Sequence, residues 1–150
     1  MSLQVLSKSP RQTEELGRKL GRACRGDELI LLEGELGTGK TLLTKGIFSY
    51  FTVPGEQVVS PTFSIMNRYQ KASRKLFHID VYRLGSRPPI LRLPEIDDHL
   101  GEGIIVVEWA QYLASGYFTL PQSVRITLEY QGEEQRALTI RAGRRNFSIE

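Results

Sequence analysis

Residues 34–41 limit what this chain can fold into more than any other part of the sequence. They read GELGTGKT, which fits the spacing Gly-x4-Gly-Lys-Thr of a phosphate-binding loop. Glycine permits backbone angles that other residues avoid, and it lets an anion approach the main-chain N–H groups at the start of a helix. Lys40 adds a positive charge for the terminal phosphates, and the Thr41 hydroxyl can ligate Mg2+.

A phosphate-binding loop of this kind has a buried strand before it and a helix after it, and the sequence predicts both. Residues 29–32 form a short apolar run, which is typical of a strand that is covered on both faces. Beyond the loop, apolar residues recur at helical spacing, namely Leu43, Ile47, Tyr50 and Phe51. The motif therefore occurs in the structural context that its chemistry requires.

A second buried strand is predicted at residues 104–108, where four β-branched apolar residues precede Glu108. A parallel strand beside the one that feeds the loop would bring Glu108 to the carboxyl edge of the sheet, where ligands of such folds bind. Glu108 is therefore interpreted as an acid of the Mg2+ site. The alternative is an acid that merely leaves the core at the end of a strand, and the presence of the loop favours the metal site.

Two pairs of alternating segments predict antiparallel hairpins. The first pairs residues 63–69 with residues 76–82 after a proline-fixed corner at Ser60-Pro61, and the second pairs residues 124–130 with residues 136–141. The whole pattern predicts an α/β, P-loop NTPase-like fold. Its mixed sheet would have parallel core strands flanked by helices and antiparallel hairpins.

One face of the predicted strand 76–82 carries His78, Asp80 and Tyr82, while the opposite face is apolar. Such a polar triplet is either a solvated sheet surface or the wall of a site. The alternation by itself favours the solvated surface.

Length and composition set outer bounds on the function. A chain of 150 residues suits a single domain, residues 1–150, with a core of its own. It lacks an apolar run of the ~18 residues that a membrane span needs, and its N-terminus lacks the pattern of a signal peptide. We expect a cytoplasmic protein without membrane association. A net charge of +3 permits contact with RNA but does not indicate it.

Four motifs in this order and spacing resemble the TsaE family, also called YjeE, of small bacterial P-loop ATPases. They are GELGTGKT at 34–41, SPTF at 60–63, HIDVYRL at 78–84 and EW at 108–109. The resemblance runs from about residue 9 to residue 140. It implies a role in making N6-threonylcarbamoyladenosine at position 37 of tRNA. The family resemblance also implies ATP and Mg2+ as cofactors, binding to the TsaD and TsaB proteins, and an indirect link to tRNA through that complex.

The resemblance also implies roles for individual residues. Lys40 and Thr41 would hold phosphates and Mg2+, Thr62 would belong to a loop that senses the γ-phosphate, and Asp80 and Glu108 would be the acids of the metal and water site. Trp109 would stand beside these acids, and the face that carries His78 would be a site wall. The remaining nucleotide-binding positions would be Glu35, Leu36, Gly37, Thr38, Gly39 and Leu42.

Two other functions stay open on the sequence alone. A small-molecule kinase would share the phosphate loop but would need an acceptor pocket and usually an arginine-rich lid. The only arginine-rich loop of the sequence that could be such a lid is residues 83–92, and it also carries Pro88 and Pro89. A nucleotide-gated binding module would bind ATP, with hydrolysis only incidental. A GTPase is disfavoured, because the chain has no Asn/Thr-Lys-x-Asp motif for reading guanine.

Overall fold

The apolar run that precedes the phosphate loop is the middle strand of a seven-stranded sheet. In the computed structural model, which describes residues 2–61, 64–143 and 147–149, the strand order is β1-β7-β6-β2-β5-β4-β3. The strands are β1 (Ser2–Ser7), β2 (Leu29–Glu33), β3 (Met66–Lys71), β4 (Arg74–Asp80), β5 (Ile104–Glu108), β6 (Ser123–Tyr130) and β7 (Arg136–Ala142). The helices are α1 (Pro10–Ala23), α2 (Lys40–Tyr50) and the single turn α3 (Pro94–Asp97).

The sheet is parallel in its centre and antiparallel at both ends. Strand β2 pairs in parallel with β5 on one side and with β6 on the other, and β5 pairs in parallel with β4. The hairpins β3–β4 and β6–β7 are antiparallel, and β1 pairs antiparallel with β7. The predicted mixed α/β sheet is therefore confirmed, including both hairpins and the parallel pairing of the two apolar runs.

Each face of the sheet has its own apolar cluster. Helices α1 and α2 cover the face that carries Ile30, Leu32 and Val106. The opposite face, with Leu31 and Val107, is covered by α3 and by short 3₁₀ turns. Every residue of β2 and β5 is buried as a result, which is why each strand has four consecutive apolar residues before its final glutamate.

The pair Ser9-Pro10 is typical of a helix start, and helix α1 begins there. The Ser9 side chain accepts a hydrogen bond from the backbone N–H of Gln12 at 3.1 Å, and Pro10 is the first residue of the helix. Helix α1 then packs closely on α2 through two glycines. A Cβ at Gly46 would lie 2.1 Å from the Glu14 carbonyl oxygen, and a Cβ at Gly17 would lie 2.4 Å from that of Leu43. This contact fixes the position of α2, and with it the end of the phosphate loop.

We expect Gly46→Ala to lower the free energy of unfolding by about 1–3 kcal/mol, because the added methyl group must push the two helix backbones apart. The loss should exceed the gain of about 1 kcal/mol in helix propensity. Urea unfolding would measure the change. The control is Gly116→Ala, since a Cβ at Gly116 meets nothing within 4 Å. Equal stability of the two variants would contradict the close helix contact.

The structure corrects three details of the sequence prediction. Strand β4 ends at Asp80, so Tyr82 begins a 3₁₀ turn instead of extending the strand. The pair Pro94-Glu95 predicts a short helix through Leu100, but in the structure this helix ends at Asp97. His78 does not lie on a solvated surface: it is fully buried, because α2 covers this face and the Phe48 ring meets the imidazole edge-on at 6.2 Å. In the described part of the chain no helix is long and apolar enough to cross a membrane.

Candidate functional site

The predicted phosphate loop leaves the carboxyl end of β2 and enters α2 at Lys40. Its turn depends on two glycines with positive φ, Gly37 at 80° and Gly39 at 104°. A side chain is strained in this region of backbone space, so glycine is strongly favoured at both positions. Gly39 is also the residue that precedes the first turn of α2, so free N–H groups of the helix lie at the loop.

Lys40 is a buried cation at the mouth of the loop. Its Nζ donates hydrogen bonds of 2.8 Å to the carbonyl oxygens of Gly34 and Glu35, and it lies 4.2 Å from the centre of the Trp109 ring. Burial lowers the pKa of Lys40, and the nearby carboxylates of Glu108, Asp80 and Glu35 act in the opposite direction. A partly desolvated ammonium group is suited to a phosphate anion, which would restore the lost polar surroundings.

Thr41 and Glu108, the two predicted metal ligands, lie side by side. The Thr41 Oγ1 is 2.9 and 3.0 Å from the two carboxylate oxygens of Glu108, and it is 3.0 Å from the Ser60 hydroxyl. Carboxylate and hydroxyl oxygens are hard ligands of the kind that Mg2+ prefers. No group of three or more His, Cys, Asp or Glu side chains suited to a metal is found among the described residues. The Thr41 hydroxyl and the Glu108 carboxylate would supply two oxygen ligands of a Mg2+ ion whose other ligands are phosphate oxygens.

Asp80 lies directly beside Glu108 at the same edge of the sheet, because the two residues are partners in the parallel β4–β5 register. Its Oδ1 accepts a hydrogen bond of 2.9 Å from the backbone N–H of Tyr82. Burial raises the pKa of Asp80 and the Glu108 charge adds to that effect, while the Tyr82 N–H, His78 and Lys40 oppose it. The carboxylates of Asp80 and Glu108 therefore both lie near the Lys40 ammonium.

Trp109 turns the chain immediately after Glu108. Its backbone is left-handed, with φ of 63°, which is rare and costly for a bulky residue. The turn brings the indole over Lys40 and into contact with two tyrosines, at ring-centroid distances of 4.7 Å to Tyr82 and 5.6 Å to Tyr112. The resulting aromatic cluster, Tyr82, Trp109 and Tyr112, forms one wall of the site.

Side chains that the sequence did not single out hold the carbonyl groups of the loop. Tyr130 donates its O–H to the Leu36 carbonyl, and the Arg136 guanidinium donates to the Gly37 carbonyl at 3.2 Å. Tyr130 and Arg136 are register partners in the β6–β7 hairpin. The Gln111 amide donates to the Gly34 carbonyl at 3.2 Å. These contacts depend on the strand register and on the turn after Trp109, and neither can be predicted from local sequence patterns.

The structure brings together most of the predicted site residues. Lys40, Thr41, Asp80, Glu108 and Trp109 adjoin one another, and the Thr38 hydroxyl donates to the Glu35 carbonyl within the loop at 2.8 Å. Leu36 is 80% exposed, and Leu42 is partly buried in the first turn of α2. Thr62 lies outside the described residues. The nucleotide-binding and catalytic roles of all these residues stay predictions.

Comparison with known proteins shows that the chain is similar to the members of one protein family. The family model described as TsaE, threonylcarbamoyl adenosine biosynthesis protein TsaE, matches residues 7–138. Among relatives described as "tRNA threonylcarbamoyladenosine biosynthesis protein TsaE", the one from Aquifex aeolicus is 35% identical over 72% of this chain and 77% of its own length. The one from Bacillus subtilis is 32% identical over 89% of this chain and 82% of its own length. The crystal structure of Bacillus subtilis YdiB matches with a TM-score of 0.65 and 27% identity, covering 95% of this chain and 86% of that one.

Proposed function

This chain belongs to the TsaE family of threonylcarbamoyladenosine biosynthesis proteins, and from that premise we propose that it binds and hydrolyses ATP to support this tRNA modification. The proposal rests on one observation above all. Where the glycine loop enters α2, the Lys40 ammonium is hydrogen-bonded to the loop carbonyls, and the Thr41 hydroxyl lies 2.9 Å from the Glu108 carboxylate. This is the combination of charge, hydroxyl and acid that ATP hydrolysis needs.

In the proposed reaction, the loop N–H groups and Lys40 bind the phosphates of ATP and stabilise the charge that develops as the terminal phosphoryl group leaves. Thr41 and Glu108 would hold Mg2+, which neutralises phosphate charge when it is bound. Asp80 adjoins Glu108 and is available to orient the attacking water. Thr62 would report on the γ-phosphate, as the family resemblance implies. The aromatic wall at Trp109 would limit the access of water beside Lys40.

We further propose that the TsaD and TsaB proteins are the partners that make this hydrolysis productive, and that tRNA is reached through them. Hydrolysis by the chain alone should be slow, because no arginine finger can be assigned from the sequence. A residue supplied by a partner would then complete the site.

Phosphate release from Mg·ATP, measured with and without TsaD and TsaB from a related bacterium, tests this proposal. We expect slow release by the chain alone and a clear change of rate when both partners are added. Omitting Mg2+ and adding EDTA should remove release in both cases. Tight ATP binding without release, and without any effect of the partners, would contradict the proposal. That result would favour a nucleotide-gated module, or a kinase that lacks its acceptor.

A further inference from the structure

We propose that His78 is a positioning residue, whose imidazole holds the Glu108 carboxylate against Thr41 and away from Lys40. The inference rests on the proposed function, because it takes Glu108 to serve a Mg·ATP site. Neither the fold nor the phosphate loop by itself requires a histidine at this position.

His78 and Glu108 form a buried, hydrogen-bonded pair. The His78 Nε2 lies 2.5 Å from the Glu108 Oε2, and the side chains are 0% and 4% exposed. A carboxylate can only accept, so the hydrogen bond requires the proton on Nε2. Thr41 approaches the same carboxylate, at 2.9 and 3.0 Å from its two oxygens. The carboxylate is therefore held by donors on two different elements, β4 and α2.

The contact with Glu108 explains why a polar ring lies in this part of the core. Among the described residues, the other ring nitrogen of His78, Nδ1, has no hydrogen-bond partner. A buried polar atom without a partner costs free energy, so an apolar side chain would be the cheaper occupant for packing alone. The imidazole packs edge-on against Phe48 and is fixed by β4, where His78 is paired with Val106. Its hydrogen bond serves the carboxylate rather than the core.

Lys40 is the group that would compete for Glu108 if this hydrogen bond were lost. The two charges are close enough for Glu108 to act on the pKa of Lys40. Even so, the Lys40 ammonium donates to the carbonyls of Gly34 and Glu35. A carboxylate released from His78 would turn toward the ammonium, because opposite charges attract strongly in a partly desolvated site. That movement would weaken the metal ligand and neutralise the phosphate-binding charge together.

Two substitutions separate the hydrogen bond from the shape of the ring. The amide nitrogen of glutamine can reach the place of Nε2, so His78→Gln can keep the donor. The amide of asparagine reaches only the place of Nδ1, so His78→Asn leaves Glu108 without it. Isothermal titration calorimetry of ATP, with Mg2+ and separately with EDTA, would be carried out on both variants and on the unmodified chain. This readout is independent of turnover.

We expect His78→Asn to lower the Mg2+-dependent gain in ATP affinity by about 10–100-fold, as is typical when the partner of a metal ligand is removed. The affinity in EDTA should fall by a smaller factor, because the released carboxylate would pair with the Lys40 ammonium, and His78→Gln should retain most of the gain. In a Glu108→Gln background, His78→Asn should add no further loss, because the carboxylate that it positions is gone. A merely structural role would instead weaken binding equally under all conditions.

The outcomes distinguish this inference from the proposed function. If Mg2+ does not increase the ATP affinity of the unmodified chain, the proposed function fails and the role of His78 fails with it. If Mg2+ increases the ATP affinity of the unmodified chain, but folded His78→Asn behaves like the unmodified chain or like His78→Gln, only the positioning role is rejected. Should His78→Asn not fold, His78→Leu fills the cavity without a donor. It is expected to show the same selective loss of the Mg2+ effect, and retention of the Mg2+ effect in that variant would overturn the inference.

Discussion

Replacing Glu108 by glutamine is expected to lower the rate of phosphate release from Mg·ATP by about 10²–10³-fold, the usual loss when one preorganised electrostatic group is removed from an active site. Glutamine has nearly the shape of glutamate, so the packing around β5 should persist. What disappears is the negative charge beside Thr41 at 2.9 Å, which is needed for a metal ligand. The substitution therefore tests charge and not volume.

The measurement is the initial rate of phosphate release at saturating Mg·ATP, with the partners present. Glu134→Gln is the matched control, because it removes the same charge from an exposed position in the β6–β7 hairpin. It should leave the rate unchanged. In EDTA, Glu108→Gln should bind ATP about as well as the unmodified chain. Normal turnover in Glu108→Gln would reject the assignment of the metal site.

Lys40→Ala should lower the affinity for ATP as well as the rate of hydrolysis. The substitution removes a buried ammonium whose charge-assisted hydrogen bonds to phosphate should each contribute about 1.5–3 kcal/mol, so we expect ATP affinity to fall by about 10–100-fold. It also leaves Glu108 and Asp80 without their nearby cation, which would repel the phosphates further. Hydrolysis should become undetectable even at high ATP concentration.

Equilibrium dialysis with radiolabelled ATP would measure this loss of affinity. Lys45→Ala is the control for charge and helix propensity, since Lys45 lies on the same helix, α2, but outside the predicted loop. Its affinity should match that of the unmodified chain. Circular dichroism and thermal melting establish that Lys40→Ala is folded. An unchanged ATP affinity in folded Lys40→Ala would contradict the phosphate-binding role of the loop.

The centre of the fold could be predicted from sequence because its signals are local and redundant. An apolar run before a glycine loop requires a strand, and a second apolar run that ends in Glu108 fits beside it. The parallel pairing of β2 and β5 then brings Glu108 to Thr41, as predicted. The two hairpins were predictable from alternation in the same way.

The surroundings of the site could not be predicted, because they depend on contacts between distant parts of the chain. Alternation showed that His78 shares a face with Asp80, but not that α2 covers that face and buries the ring against Phe48. The contacts of Tyr130 and Arg136 with the loop depend on the register of a hairpin that is far away in sequence. Tyr82 reaches Trp109 only because β4 stops at Asp80.

The position of Trp109 has a practical consequence for following this protein in solution. It is the only tryptophan of the chain, and its indole lies 4.2 Å from the Lys40 ammonium. Indole emission responds to nearby charge, so any anion that draws the ammonium away should change its intensity or wavelength. The chain thus carries an intrinsic fluorophore at the candidate site, and stopped-flow emission could time nucleotide arrival and departure without a label.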